Sequence, residues 1–437
     1  MLSKKIDSHW FIPVLAWCVY AAAYFCRINL SITIPYLQNE LGFSKTALGF
    51  LASGFFIAYA AGQLINGIIG DRLPVRYFIS LGLIVAGVSN IIFGMIQTFP
   101  LMLIAWTANG YFQSMLWGPL LRTLSEHVPP AKQDRAKFMM STSPVVGSFF
   151  AYILAGRLAI SFGWKAAFLV PGIILLAMAG IWFCSLSGFS GKKGSTSTPG
   201  KDSLKNEGQG VKENRESWHG KLRLVEFILH SRIYLIIILG IFIGISGQGL
   251  SLWSPSLFTE YFSLDMNRML SIMSLMPLVN LLFIITGGIL FKNYLKNENR
   301  IIILFLSIAL LSTLFMWRLQ NIVFILYVII FYVLMASITT ANIFITGYVP
   351  FKYKQNGRVS AAAGIIDSSI YLGAAIAGPV IGAAAERFGW DGIFGGILGI
   401  CVLALIPCFL ISKPPRFFRN RQAQAGKNNN PPPSDPS

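Results

Sequence analysis

The chain has 437 residues, of which 54% are hydrophobic and only 12% charged, with a mean hydropathy of +0.63; an ordinary soluble domain carries roughly 25% charged residues. This composition excludes a water-soluble globular fold and marks an integral membrane protein. The net charge of +18 invites a nucleic-acid partner, but the basic residues collect in the segments between apolar runs, which excludes one. Runs of about 20 apolar residues cross a hydrocarbon core. Such runs predict spans near 11–35, 46–70, 77–96, 100–122, 137–161, 165–187, 233–257, 268–291, 301–318, 322–348, 358–384 and 392–412. Six fall on each side of one long polar insert.

With a cytoplasmic N-terminus, the cytoplasmic segments hold Lys4, Lys5, Arg72, Arg76, Arg122 to Lys137, Lys192 to Arg232, Lys292 to Arg300, Lys352 to Arg358 and the tail from Lys413. Lys45, Arg157, Lys165, Arg268, Arg318 and Arg387 fall on the other side. The excess is therefore topological and puts both termini inside. Lys4 and Lys5 precede an apolar segment too long for a signal peptide, so the first span is expected to stay in the protein. The Gly-, Ser- and Lys-rich insert 188–231 has too little apolar surface to offset its ordering entropy. It reads as a cytoplasmic linker between bundles at 1–187 and 232–412, with a disordered cytoplasmic tail at 413–437.

An internal echo supports two related halves. VPPAKQDR (128–135), an apolar run and FGWKAAF (162–168) return as VPFKYKQNGR (349–358), an apolar run and FGWDGIF (388–394), as in duplicated transporters. The five Cys and four His show no metal-ligand spacing and no nucleophilic arrangement, so neither a metal, a cofactor nor an enzyme is expected. No phosphate-binding Gly-rich loop followed by Lys appears, so transport would draw on gradients.

An ionisable group inside an apolar span is expensive and is a functional candidate by default. Arg27, in AAAYFCRINLSITIP, lies too far from either end of its span to reach water. One reading is a guanidinium that recognises an anion with its planar fork; the other is a structural Arg paired with helix carbonyls.

YFCRINLSITIPYL, GDRLPVR (70–76), GYFQSMLWGPLLRT (110–123), LWSPS (252–256) and FGWDG (388–392) resemble the major facilitator superfamily, in particular its organophosphate:phosphate antiporters for glycerol 3-phosphate and hexose phosphate. A weaker resemblance reaches the anion:cation symporters for sugar acids. The resemblance implies an all-α membrane fold of 12 transmembrane helices in two pseudo-symmetric six-helix bundles, a central cavity and rocking alternating access. In that family the GDRLPVR loop is a gate, which would make Asp71, Arg72 and Arg76 a charge relay; the plain alternative is a charged turn. Tyr24, Gln63, Gln113, Trp117, Gln248 and Tyr371 are expected to line the cavity with Arg27, and Tyr59, Tyr111 and Asn342 are weaker candidates.

The departures bear on substrate. The antiporters' second arginine falls on Gly247, since Pro255 follows it by eight residues as Pro35 follows Arg27. Their second-span lysine falls on Gln63 and their fifth-span histidine on Pro144, while the acidic places of the sugar-acid symporters hold Cys26 and Gln113. A phosphomonoester carries close to two negative charges, and one Arg leaves one of them uncompensated in a poorly solvated cavity. A new acidic group, Asp367, lies nine residues after Arg358, as Pro144 lies nine after Arg135, and is expected to take a proton or a substrate amine. The alternative is an Asp bonded to Ser368 or Ser369.

The sequence thus predicts a monomeric secondary transporter of a small organic anion or zwitterion in the cell inner membrane, coupled to protons or a counter-anion. Competing readings are an organophosphate:phosphate antiporter and a non-transporting sensor of the hexose-phosphate-receptor type.

Overall fold

The computed structural model describes residues 8–70, 73–187, 233–318, 323–350, 352 and 359–412. The predicted linker 188–231, the tail 413–437 and the gate residues Asp71 and Arg72 lie outside the described residues. In lipid each backbone N–H and C=O must find its partner within the segment, so apolar runs of this length fold as helices. They are α1 (Ser8–Leu41), α2 (Lys45–Gly70), α3 (Val75–Met95), α4 (Phe99–Gln113), α5 (Trp117–His127), α6 (Pro130–Phe162) and α7 (Ala166–Ser187). After the insert come α8 (Ile233–Ile243), α9 (Leu250–Tyr261), α10 (Met266–Leu290), α11 (Glu298–Arg318), α12 (Phe324–Gly347) and α13 (Val359–Ser412). A π-helical turn, Gly244–Gly249, joins α8 to α9, and another, Phe291–Leu295, extends α10.

Among the described residues ten helical stretches are long and apolar enough to cross a membrane. One of them, α13, bends through Gly389 at φ 68° and makes two crossings. Helices α4 and α5 form a further crossing, broken by a turn at residues 114–116. The total is consistent with twelve. The sequence predicts an unbroken helix over 100–122; the break follows from Pro119, whose ring crowds the carbonyl four residues back, at Met115.

The internal echo has a backbone meaning. Gly163 and Gly389, the middle residues of the two FGW copies, both take a left-handed conformation (φ 82° and 68°) that turns one crossing into the next at little steric cost. The tryptophan that follows then reaches a carboxylate in its own half: Trp164 Nε1 donates to Glu40 Oε2 and Trp390 Nε1 to Glu260 Oε2, each at 3.0 Å. Glu40 and Glu260 are 220 residues apart, as are Arg27 and Gly247.

Between the halves, α2 packs along the first limb of α13, α1 against α9 and α6 against α10. Backbone meets backbone at Gly49 and Gly378, where a Cβ on Gly49 would fall on the Gly378 carbonyl. Two serines of the first half bond across this seam. The Ser31 hydroxyl donates to Leu252 O (2.7 Å) and Ser251 O (3.1 Å), and the Ser53 hydroxyl donates to Ala375 O. Ser251 and Ala375 each lie four residues before a proline, Pro255 and Pro379, which has no N–H to offer those carbonyls.

Beyond the seam Lys45 Nζ pairs with Glu260 Oε2 at 2.7 Å. The Glu386 carboxylate takes the Lys45 and Thr46 backbone N–H groups (2.6 and 3.3 Å) and the Thr46 hydroxyl (2.7 Å). A glutamate of one half thus caps the N-terminus of a helix in the other. We call this the far end and the opposite one, which carries Arg122, Lys132 and Lys352, the basic end. The bonds between the halves run from the far end to mid-depth, as far as Ser368 Oγ to Ala60 O (3.2 Å).

Candidate functional site

A cavity of about 680 Å³ lies between the halves, walled by residues of α1, α2, α4, α5 and α6 and of α8, the π-helical turn after it, α9, α10, α12 and α13. Arg27 and Asp367 are the only formally charged side chains among the described residues that line it. Arg27 is half-buried. Its guanidinium lies 4.5 Å from the Tyr59 ring centre and 4.8 Å from that of Tyr24, so aromatic faces replace part of its hydration. Its Nε donates to Gln113 Oε1 at 3.2 Å and its Nη1 to the Tyr371 hydroxyl, in the other half, at 3.5 Å. These two bonds use two of the five guanidinium donors.

Of the residues singled out in the sequence, Arg27, Tyr24, Gln63, Trp117, Gln248, Tyr371 and Asp367 are brought together on the cavity wall, with Tyr59, Asn342, Gly247 and Pro144. Gln113 departs from expectation. It is fully buried behind Arg27, not on the wall, and its Nε2 donates to Asn109 Oδ1 (2.9 Å) and Cys26 O (3.1 Å). Asn109 Nδ2 binds the same Cys26 carbonyl at 2.8 Å. The amide is thereby oriented with its oxygen towards Arg27, an arrangement in which Gln113 would position the guanidinium. Gln113→Leu removes that acceptor and is expected to weaken anion affinity roughly tenfold, about the worth of one hydrogen bond to a charged group. Calorimetric titration checks this, and an unchanged affinity contradicts the positioning role.

The Ser368 and Ser369 hydroxyls bond to Ala60 O and Ile366 O and not to the Asp367 carboxylate, against the alternative reading of that residue. Of the three gate residues only Arg76 lies among the described residues. Arg76 lays its guanidinium on the Phe183 ring, 3.8 Å from the centre, and its Nε is buried without a hydrogen-bond partner. The residue that reaches the GDRLPVR segment is Arg122, whose Nη1 donates to Gly70 O (2.8 Å) and Leu73 O (3.3 Å) while its Nε pairs with Glu126 at 2.6 Å. Arg122 is the second-last residue of the segment GYFQSMLWGPLLRT, so a signal was present, but its basic loop position reads equally as topology. Asn280 was missed as well. A polar residue within LMPLVNLLF (275–283), it lines the cavity and is found by the cue that finds Arg27 once amides are counted with charges.

Two helix bundles closed at one end around a charged cavity that both of them line define a membrane carrier. The chain belongs to the Major Facilitator Superfamily, whose family model matches residues 16–366, and is a multi-pass membrane protein. It is 25% identical over 431 residues to a protein described as a probable hexose phosphate transport protein of Chlamydia trachomatis, covering 93% of this chain and 91% of that one. It is 23% identical to the membrane sensor protein UhpC of Escherichia coli K12, covering 93% of each. A bacterial homologue of the human lysosomal transporter Spinster, solved in an inward-facing, unoccupied conformation, shares the fold with a TM-score of 0.70 at 14% identity, over 92% of this chain and 96% of that one.

Proposed function

We propose that this chain is a secondary active transporter that moves a small organic anion or zwitterion across the cell inner membrane. Arg27 binds the anionic group and Asp367 takes a proton or a substrate amine. The observation that carries the reading is the Arg27 guanidinium, held by Gln113 and Tyr371, facing a cavity at the seam of two halves whose hydrogen bonds to each other, among the described residues, run from mid-depth to the far end. The basic end is cytoplasmic by the positive-inside rule, with both termini on that side, so the cavity faces inward. Rocking of the halves 1–187 and 232–412, tethered by the linker 188–231, would close the basic end and open the far end. One chain contains the whole cavity, consistent with a monomer.

Uptake of labelled substrate into proteoliposomes separates a transporter from a sensor, which would bind without moving its ligand. The names of the relatives favour a second reading, phosphate-linked antiport. Against it, Gly247, Gln63 and Pro144 occupy the cavity wall where the antiporters carry basic groups. Inorganic phosphate is therefore expected to compete poorly for the site. Rapid phosphate self-exchange in liposomes would overturn the charge-counting argument and restore the antiporter.

A further inference from the structure

The cavity holds one fixed positive charge, on the first half, and one fixed negative charge, on the second, and they form no ion pair with each other or with any described residue. Separated, unpaired charges in a poorly solvated cavity are costly unless a ligand compensates them. A phosphomonoester would add nearly two negative charges to a site that sums to zero. A simple monoanion would satisfy Arg27 and leave Asp367 alone.

The second half's wall has a chemical bias. The hydroxyls of Ser368 and Ser369, which follow Asp367 in α13, are spent on backbone carbonyls. The Thr339 and Thr346 hydroxyls are likewise tied to carbonyls of their own helix. The amide oxygens of Asn280 on α10 and Asn342 on α12 are buried with no hydrogen-bond partner, although both residues line the cavity. Acceptors without donors thus come from three helices of the second half, and buried polar groups of this kind normally have partners. An ammonium group brings three donors and a positive charge.

Building on the role given to Arg27 above, we infer that the ligand is a zwitterion, its anionic group on Arg27 and its protonated amine on an acceptor wall formed by Asp367, Asn280 and Asn342. The amine neutralises Asp367, donates to the orphaned amide oxygens and leaves the occupied cavity without net charge. Polyhydroxylated anions fit less well, because hydroxyls supply donors but no positive charge.

The test uses the purified full-length chain and two matched series, the ω-amino carboxylates of three to six carbons and the unsubstituted carboxylates of the same lengths, read by calorimetric titration and thermal shift. At least one amino member is expected to bind at least about tenfold tighter than its unsubstituted match. Asp367→Asn and Asn342→Leu should erase that preference, and Asp367→Glu, which keeps the charge, should retain much of it. The thermal transition of each variant without ligand shows that it is folded. The inference is overturned if no amino member outbinds its match, if neither series binds, or if the preference survives Asp367→Asn. A bare proton site at Asp367 would give the first of these results. Failure of the proposed role of Arg27 looks different: Arg27→Lys would then bind both series as well as the parent does.

Discussion

Arg27→Lys is expected to lower ligand affinity by about a hundredfold while leaving the protein folded. The lysine keeps the charge but loses the planar fork, and its shorter, single ammonium cannot serve Gln113, Tyr371 and an anion in the places that the guanidinium now reaches. Two charge-assisted hydrogen bonds at roughly 1.5 kcal/mol each account for a loss of this size. The aromatic faces of Tyr24 and Tyr59 remain beneath the new side chain, so the variant is not left with a bare cavity. Titration of the purified variant measures the effect. Wild-type affinity with lysine in place would mean that the residue supplies only general positive potential, and the anion would have to be sought elsewhere.

Gly49→Val should arrest transport by a different route. The new side chain would enter the backbone of Gly378 and Pro379, which has no flexible end to move aside, and overpacking of this kind costs about 1–3 kcal/mol. In a two-state carrier that penalty falls only on the conformation with the far end closed, shifting the balance towards the opposite state by roughly five- to 150-fold. Uptake into proteoliposomes should fall correspondingly while the ligand still binds. A cysteine at position 252, at the closed seam, should become reactive to an impermeant thiol reagent from the far side in the Gly49→Val background. Parental uptake rates in that variant would show that α2 and α13 do not need this close approach.

Much of this architecture was legible in the sequence because membrane insertion imposes long, countable apolar runs, and because a duplication writes the same solution twice. The 220-residue offset pairs Gly247 with Arg27 and Glu260 with Glu40, and the FGW copies mark two glycine turns of the same handedness. Charged residues deep in spans were legible too, since their expense singles them out. What escaped was the direction each side chain takes. Gln113 sits one helical turn from Asn109, and only three-dimensional packing turns both towards the Cys26 carbonyl instead of into the cavity. Glu40, Glu260 and Glu386 lie at the ends of apolar runs, where a carboxylate reads as an ordinary solvated group; their partners, the two tryptophans, Lys45 and the first turn of α2, are 124 to 341 residues away in sequence. Arg76, a charge partner by the resemblance of its loop to the family's gate, rests on an aromatic ring supplied by α7.

The serine bonds across the seam bear on how readily the halves part. Pro255 and Pro379 leave the carbonyls of Ser251 and Ala375 without a helical N–H, and Leu252 O, the nearer acceptor of Ser31, has a second lone pair to offer, so neither helix must be unwound to make or break the contact. Ser53 has a fallback as well, since its hydroxyl also lies 3.0 Å from Gly49 O in its own helix. Separation then forfeits about one hydrogen bond per serine, on the order of 1 kcal/mol each, and leaves both secondary structures whole. A closure assembled from such bonds resembles a zip fastener more than a weld: it can be undone and remade on every cycle without the scaffold refolding.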